Sequence, residues 1–434
     1  MKTMRRKACQ LLAFILIISP ALLSITTSAS AVEYDYIELP QQFLIGPNLS
    51  GSMTGINDSN AVVGAWFDGA TYKGLLYSEG VYTYIMPPGS IYSYAVDINE
   101  NGAVVGSGRS DGSNTKGFLY NEGEYTDIIP PEWSRSSASR INDSGSVVGF
   151  GGKGTGGFAK GFLYSEGIYT DIIPPGWIHS IATDINDSGA VVGFGSESID
   201  SDSKGFLYSE GIYTDIIPPG AILSFAYGIN DNGAVVGYGY DGTTYKGFLY
   251  SEGIYTDIIP PGATEAFALA INDSGDVVGH WYDGTTTKGF LYSKGVYTNI
   301  IPPEATEAEA WGINNSGMVV GTAEGSFIAF PNTTPSEKIQ TIMGFFNFGV
   351  ANGNLKGIGI IKLFAAYKLK AFRNMLVQAQ DLIENRDTEA ACNKLKNLYK
   401  KIDGKPWPPD FIGGSAASDL AAKIDALIKS MNCS

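Results

Sequence analysis

Hydrophobic and polar positions follow two different periods along this chain. Between about residues 52 and 330 the apolar residues fall in short alternating runs, and each run stops at Gly, Asn, Asp or Pro. Period-two alternation punctuated by turn residues predicts β-strands joined by hairpins. From Pro335 onward apolar residues recur every three or four positions instead, as in Ala365, Leu369, Phe372, Leu376, Ala379 and Ile383. That spacing predicts amphipathic helices. The first expectation is an all-β body followed by a small all-α domain.

The β pattern repeats. Ile-Asn pairs recur at Ile56, Ile98, Ile141, Ile185, Ile229, Ile271 and Ile313, spaced 42, 43, 44, 44, 42 and 42 residues apart. A period in the low forties suits a four-stranded propeller blade. In one unit, Ser224 to Asn230 reads as strand A and Ala234 to Tyr238 as strand B. Lys246 to Tyr250 reads as strand C and Ile254 to Ile259 as strand D. The joins Asp231-Asn232-Gly233, Asp241-Gly242-Thr243-Thr244 and Ser251-Glu252-Gly253 carry residues that tolerate positive φ, so neighbouring strands run antiparallel. Pro260-Pro261 ends strand D, because proline donates nothing to a β-ladder, and opens the step to the next blade.

The two ends of the array complement each other. The last unit supplies strands A, B and C, the third being Ser326 to Phe330, and lacks a fourth. Tyr34 to Leu39, followed by Pro40, matches strand D. The expected fold is therefore a seven-bladed β-propeller over residues 32–331, closed by its N-terminal strand, with an α-helical domain over 335–434. With Gly-x-Val-Val-Gly after all but the first Ile-Asn and Lys-Gly-Phe-Leu-Tyr in strand C of the middle five units, the units over residues 52–330 resemble the extracellular HAF-repeat family. Its His-Ala-Phe-Leu-Trp is altered here, Lys246-Gly247 standing for His-Ala and Tyr250 for Trp. The resemblance implies an exported repeat protein and prescribes no reaction.

The N-terminus agrees with export. Lys2, Arg5, Arg6 and Lys7 precede an apolar run from Leu11 to Ile25, and Ala29-Ser30-Ala31 fits a small-x-small cleavage site. Residues 1–31 read as a signal peptide, with Val32 as the mature start; an uncleaved anchor is the alternative. Cys9 lies before the apolar run, which excludes a lipoprotein box, and no second hydrophobic span follows. The expected location is secreted or cell-surface. The remaining cysteines, Cys392 and Cys433, then favour a disulfide, worth roughly 3–4 kcal/mol on the chain-entropy model.

In the tail, Ala391, Leu395, Leu398 and Ile402 predict another helix, and Leu420, Ile424, Leu427 and Met431 a third. Asp387 and Ser418 are candidate caps. A packing or attachment module is the simplest reading of this domain.

Charge narrows the partners. Residues 335–434 carry 14 Lys/Arg against 9 Asp/Glu, and the first seven residues carry four positive charges, so residues 8–334 hold about −24 of a chain whose net is −15. Such a surface argues against nucleic acid and anionic membranes, which need cationic contacts. Glycans and other surface proteins stay open as partners, and the oligomeric state is not legible.

Familiar catalytic sets are missing or misplaced. His179 and His280 sit in different units, without zinc-ligand spacing. Gly108-Arg109-Ser110-Asp111-Gly112 matches a nucleophile-elbow string but sits between two strands rather than before a helix. The Asp97 and Asp184 turns begin like calcium loops, yet Gly108 and Gly195 stand where the bidentate Glu belongs. Asp200 and Asp202, in the longest B–C loop, are a further thin calcium possibility. Asn57, Asn142, Asn186, Asn272 and Asn314 match the glycosylation sequon, but a hairpin turn stabilised by the Asn side chain explains every copy. No metal site, cofactor or catalytic residue is assigned.

Loop placement is more informative. The A–B and C–D turns share one face and are nearly uniform, whereas the D–A and B–C loops share the other and differ from unit to unit. Loops that vary on a rigid scaffold are where a ligand site belongs. At the start of strand A one position reads Tyr92, Arg135, His179, Leu223, Glu265 and Glu307 in successive units, with Trp133 and Trp177 two residues earlier in theirs. With strand A innermost, these side chains ring one mouth of a central channel. The preferred reading is a non-enzymatic recognition protein, with Trp or Tyr stacking on sugar faces. A polysaccharide hydrolase or lyase using His179, Arg135, Glu265 and Glu307 is one alternative, and a purely structural surface component another.

Overall fold

The computed structural model describes residues 34–38, 52–78, 81–110, 114–154, 158–331, 335–351, 355–358, 362–402, 404, 411–414, 417–431 and 433. The proposed signal segment, 1–31, lies outside them. The body is a ring of seven four-stranded antiparallel sheets, each ordered A-B-C-D. In the fifth blade the strands are Leu223–Ile229, Val235–Tyr240, Tyr245–Ser251 and Ile254–Ile258, within two residues of the expected bounds.

Alternation explains the packing between blades. Adjacent valines of strand B point to opposite faces of their sheet. Val235 joins Ala190, Val192 and Ile216 of blade 4, while Val236 joins Ala266, Val277 and Phe290 of blade 6. Every blade is thus glued on both faces. Phe118, Phe162, Phe206, Phe248, Phe290 and Phe327 fill the layers and are essentially fully buried, each worth roughly 1.5–3 kcal/mol. The glycine before the first five of these Phe is a close approach: a Cβ on Gly247 would stand 2.7 Å from the Ile258 carbonyl oxygen.

The ring closes as the sequence predicts. Tyr34–Glu38 pairs antiparallel with Ser326–Pro331, Tyr36 opposite Ala329, and becomes the outer strand of blade 7. A recurring bond proves the equivalence. The Tyr169 hydroxyl of one strand D accepts the Ile129 N–H of the preceding blade at 3.0 Å, and Tyr213 and Tyr297 accept from Ile173 and Ile259 likewise. Tyr36 accepts from Ile301 at 3.2 Å, so the N-terminal strand performs the task of a strand-D tyrosine.

Four helices follow: α1 (Pro335–Ala351), α2 (Lys362–Glu384), α3 (Thr388–Tyr399) and α4 (Ala417–Ser430). The last three match the apolar spacing. The first escaped it, because Gly344 and Gly349 dilute helix propensity across its apolar run. Ile339, Phe346, Phe372, Leu376, Leu395, Leu420 and Ile424 form its core. Asp387 caps α3, accepting the Ala390 N–H at 3.1 Å, whereas Ser418 lies inside α4 and is not its cap. Cys392 and Cys433 form a disulfide. Phe345 of α1 packs on both this core and the layer between blades 7 and 1, beside Met318 and Ile328. Among the described residues no helix is long and apolar enough to cross a membrane.

Candidate functional site

Strand A lines the channel, and its two ends are built differently. At the A–B/C–D end each repeated Asn works twice. Its Oδ1 accepts the N–H four residues on, as Asn230 does from Ala234 at 2.9 Å, which is the expected turn. Its Nδ2 donates to the carbonyl of the next blade's Asn: Asn57 to Asn99, Asn99 to Asn142, and so on through Asn314 back to Asn57, all at 2.9–3.1 Å. Only 4–5% exposed, these amides are held in a closed ring and are not offered for glycosylation.

A second ring surrounds the first. The carboxylates of Glu100, Asp143, Asp187, Asp231 and Asp273 each accept the backbone N–H at the matching position of the preceding blade; Asn315 and Asp58 complete the circle. Just inside, Asp97 accepts the Ile141 N–H at 3.0 Å and Asp184 the Ile229 N–H at 2.8 Å. These two Asp are therefore ties between blades. Burial pushes the Asp184 carboxyl up to about 7 despite nearby Arg140, and raises Asp97 as well. The rings enclose a cavity of about 220 Å³.

The D–A/B–C end is asymmetric. On the inner wall a strand-A residue faces one of strand B, and from blade 4 to 6 both are large: Ile181 with Phe194, Phe225 with Tyr238, Phe267 with His280. Their rings form a continuous seam, Phe194 to Phe225 (4.8 Å), Phe225 to Tyr238 (5.0 Å), Tyr238 to Phe267 (4.9 Å) and His280 to Trp311 (5.9 Å). Two gaps between neighbouring blades are closed by an aromatic pair, Tyr72 against Tyr94 between blades 1 and 2, and Tyr245 against Phe267 between blades 5 and 6. Between blades 2 and 3 the equivalent residues are Thr115 and Ser137. Small side chains leave that gap open as a cleft of about 510 Å³, lined by Arg109, Asn114, Thr115, Arg135, Ser136, Ser137, Phe150 and Gly151.

The walls are fixed by the repeat itself. The Ser136 hydroxyl donates to the Ile128 carbonyl at 2.7 Å and accepts the Gly117 N–H at 2.9 Å, and its own N–H donates to the Thr115 carbonyl at 3.1 Å. Strand A of blade 3 is thereby stapled to blade 2 on both sides of the cleft.

Of the residues singled out from sequence, Arg135 lines the cleft and Tyr92 borders it, its hydroxyl 3.3 Å from Thr115 Oγ1. Trp133 and Trp177 do not form a projecting patch. They are half-buried, packed edge-on at 6.0 Å against Phe162 and Phe206 over Gly151 and Gly195, because blades 3 and 4 have a glycine there to receive an indole. His179, Glu265 and Glu307 belong to blades 4, 6 and 7 and are not among the cleft's lining. Burial lowers the His179 imidazole, favouring its neutral form. Arg109, Asn114, Thr115, Ser137 and Phe150 were missed. Their signal lay in comparing gap-filling positions between units, where Ser137 stands against Phe225 and Phe267.

No protein-family model and no curated protein matches the chain. Solved propellers are similar in fold. The β-propeller domain of the Trilobed protease from Pyrococcus furiosus is 12% identical over 63% of this chain and 91% of its own, with a TM-score of 0.45. YCF48 bound to D1 peptide is 9% identical over 69% and 97%, with a TM-score of 0.46. A lectin of Aleuria aurantia in complex with Fucalpha1-6GlcNAc is 10% identical over 58% and 94%, with a TM-score of 0.35.

Proposed function

We propose that this protein is an exported, extracellular binding protein of the HAF-repeat kind, which recognises a glycan through the D–A/B–C face of its propeller. The cleft between blades 2 and 3 is the site. The observation that carries this reading is the cleft at Thr115 and Ser137, small residues at the positions where two other gaps hold the aromatic pairs Tyr72 with Tyr94 and Tyr245 with Phe267. Its lining of hydroxyls, an amide and guanidinium groups around one aromatic ring suits a polyhydroxylated ligand. Among the described residues lining it none provides a general acid–base pair, so binding without turnover is the expected activity.

The test is a glycan-binding screen of residues 32–434, with release of reducing ends followed in the same wells. Binding without release is expected. Ser137→Phe, the residue found at the same position in blade 6, should weaken it by about tenfold or more, ~1.4 kcal/mol, without loss of fold. Binding that ignores Ser137→Phe would remove the cleft from the account, and product release would replace recognition by catalysis.

A further inference from the structure

The charge of the cleft says more than its shape. Residues 8–334 carry about −24, and carboxylates ring the opposite mouth of the channel. Yet the described residues lining the cleft include two arginines and, among them, no Asp or Glu. Arg109 reaches it from the end of strand B in blade 2, Val104–Ser110, and Arg135 from the start of strand A in blade 3, Arg135–Ile141. The two guanidiniums thus come from different blades and meet on one opening. Of the acidic side chains at this face, Glu265, Glu307 and Glu309 belong to blades 6 and 7, and Glu132, in the loop just before Arg135, is paired with Lys153.

We propose that the cleft selects an anionic sugar, a pyranose bearing one carboxylate or sulfate group, seated with that group between Arg109 and Arg135 and its ring edge against Phe150. The proposal rests on the cleft being the binding site. A guanidinium offers a planar fork that matches a carboxylate or sulfate with paired hydrogen bonds, which a neutral hydroxyl cannot return. Asn114, Thr115 and Ser137 supply neutral donors and acceptors for the remaining hydroxyls. The surrounding acidic surface also limits the ligand. A dense polyanion is repelled by it, whereas a single acidic residue on an otherwise neutral chain meets only the two arginines. The site therefore fits a sparsely charged glycan, and this narrows the exclusion of anionic partners drawn from net charge alone.

The experiment measures binding of residues 32–434 to a glucuronate-terminated oligosaccharide, its glucose-terminated analogue and a 6-sulfated analogue, at two salt concentrations. The glucuronate or the sulfated ligand should bind at least about tenfold tighter than the neutral one, ~1.4 kcal/mol, and the advantage should shrink as salt rises. Which of the two leads identifies the acid group. Arg109→Gln, at an exposed position, should erase most of that preference, and Arg135→Gln the rest. Equal affinity for acidic and neutral ligands, lost in Ser137→Phe but kept in Arg109→Gln, would overturn the proposal while leaving the cleft as a neutral-glycan site. An acid preference that survives both arginine variants would overturn it as well. Binding of all three ligands that ignores Ser137→Phe, or no binding at all, would overturn it together with the reading of the cleft.

Discussion

The two mouths of one channel are made from the same seven strands, yet they obey different rules. At the A–B/C–D mouth every blade contributes the same Asn, and each amide spends one bond on its own turn and one on its neighbour. A closed ring of hydrogen bonds tolerates no odd member, so uniformity there is structural. At the other mouth the residues facing inward are not bonded in a circle, and they range from Ser137 to Phe267. Freed from closure, that end varies in size and charge, and the variation produces an opening. Repetition in a propeller marks what holds the ring, and departures from repetition mark what the ring presents.

The comparison breaks most severely at the seam. Deleting residues 32–39 removes the strand that pairs with Ser326–Pro331 and the Tyr36 hydroxyl that accepts the Ile301 N–H. Melting should drop by about 10 °C or more, or the chain should aggregate through the bared edge. Calorimetry decides, and an unchanged melting temperature would show that the strand is dispensable.

Breaking the Asn ring comes next. Asn186→Ala leaves the Asn230 carbonyl and the Ala190 N–H without their partner, at a cost of about 2–3 kcal/mol by denaturant titration. Ser137→Phe, at the other mouth, should change stability by less than about 1 kcal/mol while removing binding. Similar losses in both variants would dissolve the distinction between the two ends.

A finer effect is pH-dependent. Because Asp184 is raised to about 7 in the folded chain, its protonated form favours folding. Its contribution is present below about pH 4, the unfolded value, and is lost as pH rises toward 7. His280 acts oppositely: lowered to about 4 by burial, it withdraws stability as pH falls from 6.5 toward 4. Against the wild type, Asp184→Asn should therefore gain relative stability by about 1–2 kcal/mol between pH 4 and 8, and His280→Phe should lose its advantage over the same span. Parallel curves for the three proteins would contradict both assignments.

The architecture was legible because each level repeated the same statement. Ile-Asn spacing, paired prolines and complementary ends all demanded seven blades and a strand supplied from the N-terminus, and Tyr36 joins the ring as they require. The site was legible only in part. Arg135 was found because it stands at the start of strand A, but the packing of Trp133 was not legible, since it depends on Gly151 in the adjacent strand. The cleft itself is an absence of volume at Thr115 and Ser137, which shows only when residues from neighbouring blades are brought face to face. The Asn ring was visible as seven turns but not as a circle, because its second bond crosses between blades.

The central claim is that ligand binds at the varied mouth and not at the uniform one. Hydrogen exchange with and without the glucuronate-terminated oligosaccharide tests it directly. The account predicts added protection around Arg109 to Thr115 and Arg135 to Ser137, with the Asn186-Asp187 turn unchanged. Protection centred on that turn and its counterparts, or confined to the helical domain, would contradict it.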